Sequence, residues 1–328
     1  MSRSLFAVIR LASVLAIFGL GLGVRPASAV DYMYVAMDND TIVRYDISLG
    51  TSALVQASGS IFVPAGQGLN NVFGLAFDTS GNLYAANNSG DTITRYDTSG
   101  NRIGTDFVPA GQGLNGPTGL AFDTSGNLYA ANINSQTITR YDSSGNRIGT
   151  DFVPAGQGLS NPVGLAFDTS GNLYAANNVS ETITRYDSSG ARIGTDFVPS
   201  GQGLSSPYGI AFDTSGNLYA VNVGTATITR YDSAGTYIGG SPFISSGLTF
   251  PISLAFDSSG NLYAANVINR TISKYDANGV FQFSWSTGAV IAPRFLAFPT
   301  VVPEPSTYVL GALATGLMAL IARSRRQA

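Results

Sequence analysis

An all-β fold made of repeated four-stranded antiparallel sheets closed into a ring is what this sequence predicts, and three observations predict it. First, a unit of about 45 residues recurs: the Gly of Gly-Leu/Ile-Ala-Phe falls at Gly74, Gly119, Gly164 and Gly209, with a variant at Ser253. Strict periodicity of this kind marks a repeat architecture in which each unit buries its faces against its neighbours. Second, the 328 residues include 39 Gly, 16 Tyr and 18 Phe but only 11% charged residues, which suits turn-rich strands better than surface helices. Third, the two ends of the repeat region hold complementary fragments of one unit.

Each unit reads as four short strands: "GLAFD", "NLYAAN", "TITRYD" and "RIGTDFV", the last clearest in the middle copies. Asp-Thr-Ser-Gly-Asn separates the first two at residues 78–82 and the last two at 97–101. Asp and Ser accept local backbone hydrogen bonds and Gly takes the left-handed position, so both stretches predict tight hairpins. Second and third strands are expected over residues 32–46, 83–97, 128–142, 173–187, 218–232 and 262–276, giving six units.

The repeat region opens with "DYMYVAMDNDTIVRYD", which has a second and a third strand but no first. "PRFLAF", at 293–298, supplies a first strand and lacks the rest. Together they complete one unit. The expectation is a six-bladed β-propeller over residues 30–300, closed by a blade shared between its N- and C-terminal strands, which leaves no open edge to invite aggregation.

The runs Pro-x-Gly-Leu-Ala-Phe-Asp, Gly-Asn-Leu-Tyr-Ala-Ala-Asn and Thr-Ile-Thr-Arg-Tyr-Asp resemble NHL repeats and their gluconolactonase-like relatives over about residues 30–299. The resemblance speaks for architecture, since such folds serve binding proteins and enzymes alike. In gluconolactonase-like propellers the channel mouth carries carboxylate and amide metal ligands. The corresponding slots before each first strand here are Phe73, Thr118, Val163, Tyr208, Ile252 and Arg294, none of them acidic. They are the candidate ligand-binding residues, with aromatic faces and one cation suited to sugars or an acidic polymer such as extracellular polysaccharide. No catalytic, cofactor or metal-ligating residue is assigned. The expected function is a non-catalytic binding or structural module; the alternative is a secreted lactonase-like or lyase-like enzyme using a central Ca2+ or other divalent ion.

Both ends read as addresses. Residues 1–29 have early basic residues, an apolar run, and Ala27 and Ala29 in the small-x-small pattern cut by signal peptidase, so they are expected to be a signal peptide. At the other end Val302, Pro303, Glu304, Pro305, Ser306 and Thr307 precede an apolar stretch over 308–322 and the basic stop Arg323, Arg325 and Arg326. This order resembles the PEP-CTERM sorting signal of exported bacterial proteins, over residues 301–328. That resemblance implies a short spanning helix, processing by exosortase, and a cell-surface or matrix destination linked to exopolysaccharide and biofilm. The arginines resist crossing the bilayer and hold the tail on the cytoplasmic side. Membrane contact is expected through this segment alone, before processing.

The remaining composition excludes much. With no Cys and no His, thiol nucleophiles, His-based triads and Cys or His metal sites are ruled out. Of 17 basic residues six lie in the terminal segments, leaving eleven against 20 acidic ones, which argues against a nucleic-acid surface. Residues 111–116 match G-x-G-x-x-G but lead into a strand, and without a helix N-terminus nothing holds a pyrophosphate. The turns at 78–82 and their copies offer one carboxylate each, too few for calcium. Arg44, Arg95, Arg140, Arg185, Arg230 and Lys274 share one slot on the third strand and are expected to form surface ion pairs with nearby Asp.

Overall fold

The computed structural model describes residues 32–47, 61–239, 242–288 and 291–299. The expected signal peptide with Ala27 and Ala29, the sorting motif, the apolar segment 308–322 and its flanking arginines lie outside the described residues. Within them are twenty strands and no helix.

The strands form six antiparallel sheets. The first strand of each is β4 (Val72–Phe77), β7 (Pro117–Phe122), β10 (Pro162–Phe167), β13 (Pro207–Phe212), β16 (Pro251–Phe256) or β20 (Pro293–Ala297). The second strands are β5 (Leu83–Asn87), β8 (Leu128–Asn132), β11 (Leu173–Asn177), β14 (Leu218–Asn222), β17 (Leu262–Asn266) and β1 (Tyr32–Met37). The third strands are β6 (Thr92–Tyr96), β9 (Thr137–Tyr141), β12 (Thr182–Tyr186), β15 (Thr227–Tyr231), β18 (Thr271–Tyr275) and β2 (Ile42–Asp46). All five residues of Leu-Tyr-Ala-Ala-Asn in β5 are buried, because neighbouring sheets cover both its faces; hence the continuous apolar run instead of an alternating one.

The two end fragments meet. β20 pairs antiparallel with β1, matching Tyr34 to Ala297 and Val35 to Leu296. Each first strand also packs on the next in chain order, and β20 packs on both β16 and β4.

Aromatic rings tie sheet to sheet. Tyr84 stands edge-on between Phe107 of its own unit and Phe122 of the next, both at 4.9 Å between ring centroids. The same arrangement recurs around Tyr34, Tyr129, Tyr174 and Tyr219, and Tyr263 meets Trp285 and Phe298. Edge-to-face pairs add about 0.5–1.5 kcal/mol each beyond their area burial.

The hairpin turns are as expected. Asp78 Oδ1 accepts from the backbone N–H of Ser80 and Asn82, and Oδ2 from the Asn82 amide at 2.8 Å and the Tyr84 hydroxyl at 3.1 Å. Gly81 takes φ +82°. Both carboxylate oxygens therefore serve the turn itself, and Asp123, Asp168, Asp213 and Asp257 repeat the pattern.

Two expectations are corrected. The fourth strand is regular in the first and last sheets, as β3 (Ile61–Val63) and β19 (Phe281–Ser286), and not in the middle copies. There it shrinks to isolated bridges, such as Tyr96 with Arg102 and Ile93 with Val108. Between those bridges Gly104 takes φ +68° and Arg102 pairs with Asp106 at 2.6 Å, so the chain bows off the ladder; β19 has no such Gly. The third-strand cations also differ from expectation. Arg95 lies over Phe107 at 5.2 Å, Arg140 over Phe152 at 5.2 Å and Arg230 over Phe243 at 4.7 Å. The ring beside each slot is the partner these cations meet, giving cation–π contacts. The ion pairs recorded here belong to Arg102, Arg147 and Arg192 instead.

Candidate functional site

Each first strand begins at one end of its sheet, beside the loop joining second and third strands: Asn88 N–H, for example, donates to Asn71 O. This end is the mouth, and the end with the 78–82 turn is the foot. On the axis the first strands approach so closely that a Cβ at Gly74 would lie 2.1 Å from Thr118 O and one at Gly119 would lie 2.3 Å from Val163 O. Where Ser253 replaces Gly, its hydroxyl accepts from Leu296 N–H at 3.1 Å. The axial space left is about 80 Å³.

Four of the six candidate residues gather at the mouth around a cavity of about 190 Å³, lined by Phe73, Tyr208, Phe250, Ile252, Val267 and Arg294. Thr118 and Val163 do not join them; both are fully buried. The Thr118 hydroxyl donates to Pro162 O at 3.0 Å, and Val163 belongs to the core below. Their side chains fill the space between first strands instead of lining the cavity.

Arg294 is fixed from two sides. Its guanidinium donates to Asn71 Oδ1 and lies 5.3 Å from the Phe73 ring centre. Phe73 in turn packs on Phe295 at 5.8 Å. Burial raises the pKa of Tyr208, so its hydroxyl stays neutral and able to donate. The cavity thus offers apolar and aromatic walls, one phenol and one fixed cation.

Phe250 and Val267 were not foreseen. Phe250 is 43% exposed and takes φ +54°, a left-handed conformation costly for a bulky residue. The equivalent positions are Asn71, Gly116, Asn161 and Ser206, and all but the Ser are residue types that visit this region readily. A Phe in that column, in "LTFPIS", was the available signal.

The carboxylates at the mouth bind backbone. Asp40 accepts from Asn71 N–H at 2.6 Å, Asp91 from Gly116 N–H at 2.6 Å, Glu181 from Ser206 N–H at 3.2 Å and Asp38 from Ala292 N–H at 3.0 Å. Asp40, Asp91 and Glu181 each latch one sheet to the connection entering the next, whereas Asp38 holds the connection entering β20 of its own sheet. Fully buried Asn87, Asn132, Asn177, Asn222 and Asn266 accept from the backbone N–H one residue earlier, each holding the connection that enters the first strand of its own sheet. Among the described residues no three acidic side chains cluster as metal ligands.

Differences between the two most alike copies collect at the same end. Residues 101–145 and 146–190 differ only at 115/160, 116/161, 118/163, 133/178, 134/179 and 136/181. All these positions lie in the connection entering a first strand, at its start, or in the loop between second and third strands.

A family profile described as the PEP-CTERM protein-sorting motif matches residues 301–326. No curated protein matches the chain. Among solved structures, a chain of a nidogen/laminin complex is similar at TM-score 0.68 and 20% identity, covering 82% of this chain and 98% of that one. A streptogramin B lyase gives TM-score 0.57 at 16% identity, covering 80% and 85%. A gluconolactonase of Xanthomonas campestris gives TM-score 0.57 at 17% identity, covering 81% and 90%. At these identities the likeness concerns the fold alone. The motif marks the chain for export, transient membrane anchoring and exosortase processing, and the protein joins a PEP-CTERM sorting motif at 301–326 to described residues that form an all-β fold of propeller type.

Proposed function

We propose that this chain is a six-bladed propeller of the cell surface or extracellular matrix, closed by β20 against β1, whose mouth binds extracellular polysaccharide without catalysing its turnover. The observation that carries the reading is that the differences between the near-identical copies 101–145 and 146–190 are confined to the mouth. A fold needs its repeated positions to stay alike, whereas positions free to differ can serve recognition. The cavity's composition supports a sugar ligand: Phe73, Phe250 and Tyr208 offer faces for pyranose rings, and Arg294 offers a donor fork to hydroxyls or a uronate. Engagement of Asp38, Asp40, Asp91 and Glu181 by backbone N–H groups favours binding over metal-assisted hydrolysis, which needs free converging carboxylates. The mature chain starts after Ala29 and ends near the Pro-Glu-Pro of the sorting motif. Retention of the double variant Tyr208→Ala/Arg294→Ala on the producing organism's extracellular polysaccharide tests the site. Weaker retention with unchanged circular dichroism is expected; unchanged retention would remove the mouth from the reading.

A further inference from the structure

The two export signals leave the fold at one place. In the β4–β5 hairpin Ala76 pairs with Tyr84 and Leu75 with Ala85; in the shared sheet Ala297 pairs with Tyr34 and Leu296 with Val35. Phe298 therefore stands where Phe77 ends the first strand, and Pro299 and Tyr32 stand where the other five sheets carry their first-to-second-strand turn. Both ends of the described chain lie at the foot, beside the axis and opposite the mouth.

The PEP-CTERM motif begins at residue 301, two residues beyond Pro299. Residues 298–307, ten in all, separate the last strand from the apolar stretch expected to enter the bilayer. Fully extended, they reach at most about 35 Å. To bring the mouth to the membrane, this tether would have to run outward beneath a sheet and then up its outer edge. Three strand spacings are about 14 Å, and a strand of this length adds about 17–20 Å. The radius of the inner ring and the side-chain layers lengthen the path further, so nothing remains to reach the bilayer. Around the foot stand Asp78, Asp123, Asp168, Asp213 and Asp257, each carboxylate held by its own turn. That acidic, hydrated surface opposes insertion among lipid chains, so the foot faces the bilayer through the short tether and not by adhesion.

We propose that, while anchored, the propeller stands foot-down: the turns at 78–82, 123–127, 168–172, 213–217 and 257–261 face the lipid headgroups, and the mouth points away from the membrane. The orientation rests on the closed-ring reading above and not on any ligand. It puts the cavity of Tyr208 and Arg294 in reach of extracellular polymer before exosortase releases the chain.

The absence of Cys makes site-specific labelling clean. Full-length Ser80→Cys and Ser170→Cys at the foot, and Ser89→Cys and Val179→Cys at the mouth, all exposed positions, are labelled with one donor dye and reconstituted in liposomes carrying a headgroup-linked acceptor. Energy transfer several-fold stronger from both foot positions is expected. Equal transfer from the two ends, or stronger transfer from the mouth, overturns the orientation. Val35→Cys/Leu296→Cys in the same full chain reports closure separately, by forming a disulfide on oxidation. With that disulfide formed, reversed transfer defeats the orientation alone; without it, the closed ring and the orientation fall together.

Discussion

The Arg294 guanidinium donates to Asn71 Oδ1 at 2.5 Å, joining residues 223 positions apart. Asn71 precedes the first strand of the second sheet in the chain, and Arg294 lies on its last strand. One side-chain bond thus ties the last strand to the entry of the neighbouring sheet, and it does so at the mouth. Arg294→Ala and Asn71→Ala should each destabilise by about 1–2 kcal/mol, as loss of a hydrogen bond to a charged group does. The double variant should cost less than their sum by about 0.5–3 kcal/mol, the coupling usual for contacting side chains. Denaturant unfolding of the four proteins measures it. Strictly additive losses would show that the pair does not act as a unit.

The clasp makes a larger demand on stability. Deleting residues 293–299 removes buried Phe295, Leu296 and Ala297 and strips β1 of one partner strand. Core losses of this kind cost about 2–5 kcal/mol per large side chain, comparable with the whole stability of a domain. The truncated chain should lose its cooperative melting transition in calorimetry. A melting temperature equal to that of the intact protein would mean that the ring closes by other contacts.

Strand positions, tight turns and the pairing of the two end fragments were legible because each depends on local pattern: short apolar runs repeated between Asp-x-Ser-Gly turns, and two fragments that complement each other by simple alignment. The fourth strand was misread because "RIGTDFV" has strand-like composition, while its conformation is set by Gly104 and by a pair, Arg102 with Asp106, that a linear pattern does not reveal. The third-strand cations were misassigned for a related reason. Phe107 follows Arg95 by twelve residues, and only the returning chain brings that ring under the guanidinium. At the mouth, the slot rule found Phe73, Tyr208, Ile252 and Arg294. It missed Phe250 because a positive φ is a property of the connection, and it overcounted Thr118 and Val163 because equal positions in a repeat need not be equally exposed when the neighbouring side chains differ.

Two glycines of one strand-turn unit separate packing from backbone strain. Gly119 sits on the axis, and a Cβ there would lie 2.3 Å from Val163 O. Gly126 lies in the following turn with φ +82° and open space around it. Gly119→Ala should cost about 1–3 kcal/mol through overpacking, while Gly126→Ala should cost about 1–2 kcal/mol through left-handed strain. Gly126→Asn, which tolerates that conformation, should recover part of the loss, and Gly119→Ser should not recover at all. Chemical denaturation of the four variants checks both halves; recovery by Gly119→Ser would show that the axis can widen.

Alkaline pH should unfold the protein by way of a repeated tyrosine. Tyr96, Tyr141, Tyr186 and Tyr275 are fully buried, and their hydroxyls donate to the backbone oxygens of Gln67, Gln112, Gln157 and Ser246 in the connections between units. Burial pushes each of them up to about 12, outweighing the neighbouring hydroxyl that lowers it. In an unfolded chain the same phenol ionises near pH ~10. Because the folded-state value is the higher one, the stabilisation is complete below the unfolded value and disappears as pH rises through the folded one. Loss of the proton also turns each donor into an anion facing a carbonyl oxygen, so the connection is repelled from the sheet it had joined. Tyrosinate absorbance of the buried set should therefore rise only as the β-sheet circular dichroism collapses, between about pH 10 and pH 12. Tyr141→Phe, which keeps the ring and removes the proton, should lower stability at neutral pH by about 1 kcal/mol and shrink that rise. Complete titration near pH 10 with intact circular dichroism would show that these hydroxyls are not sealed between units.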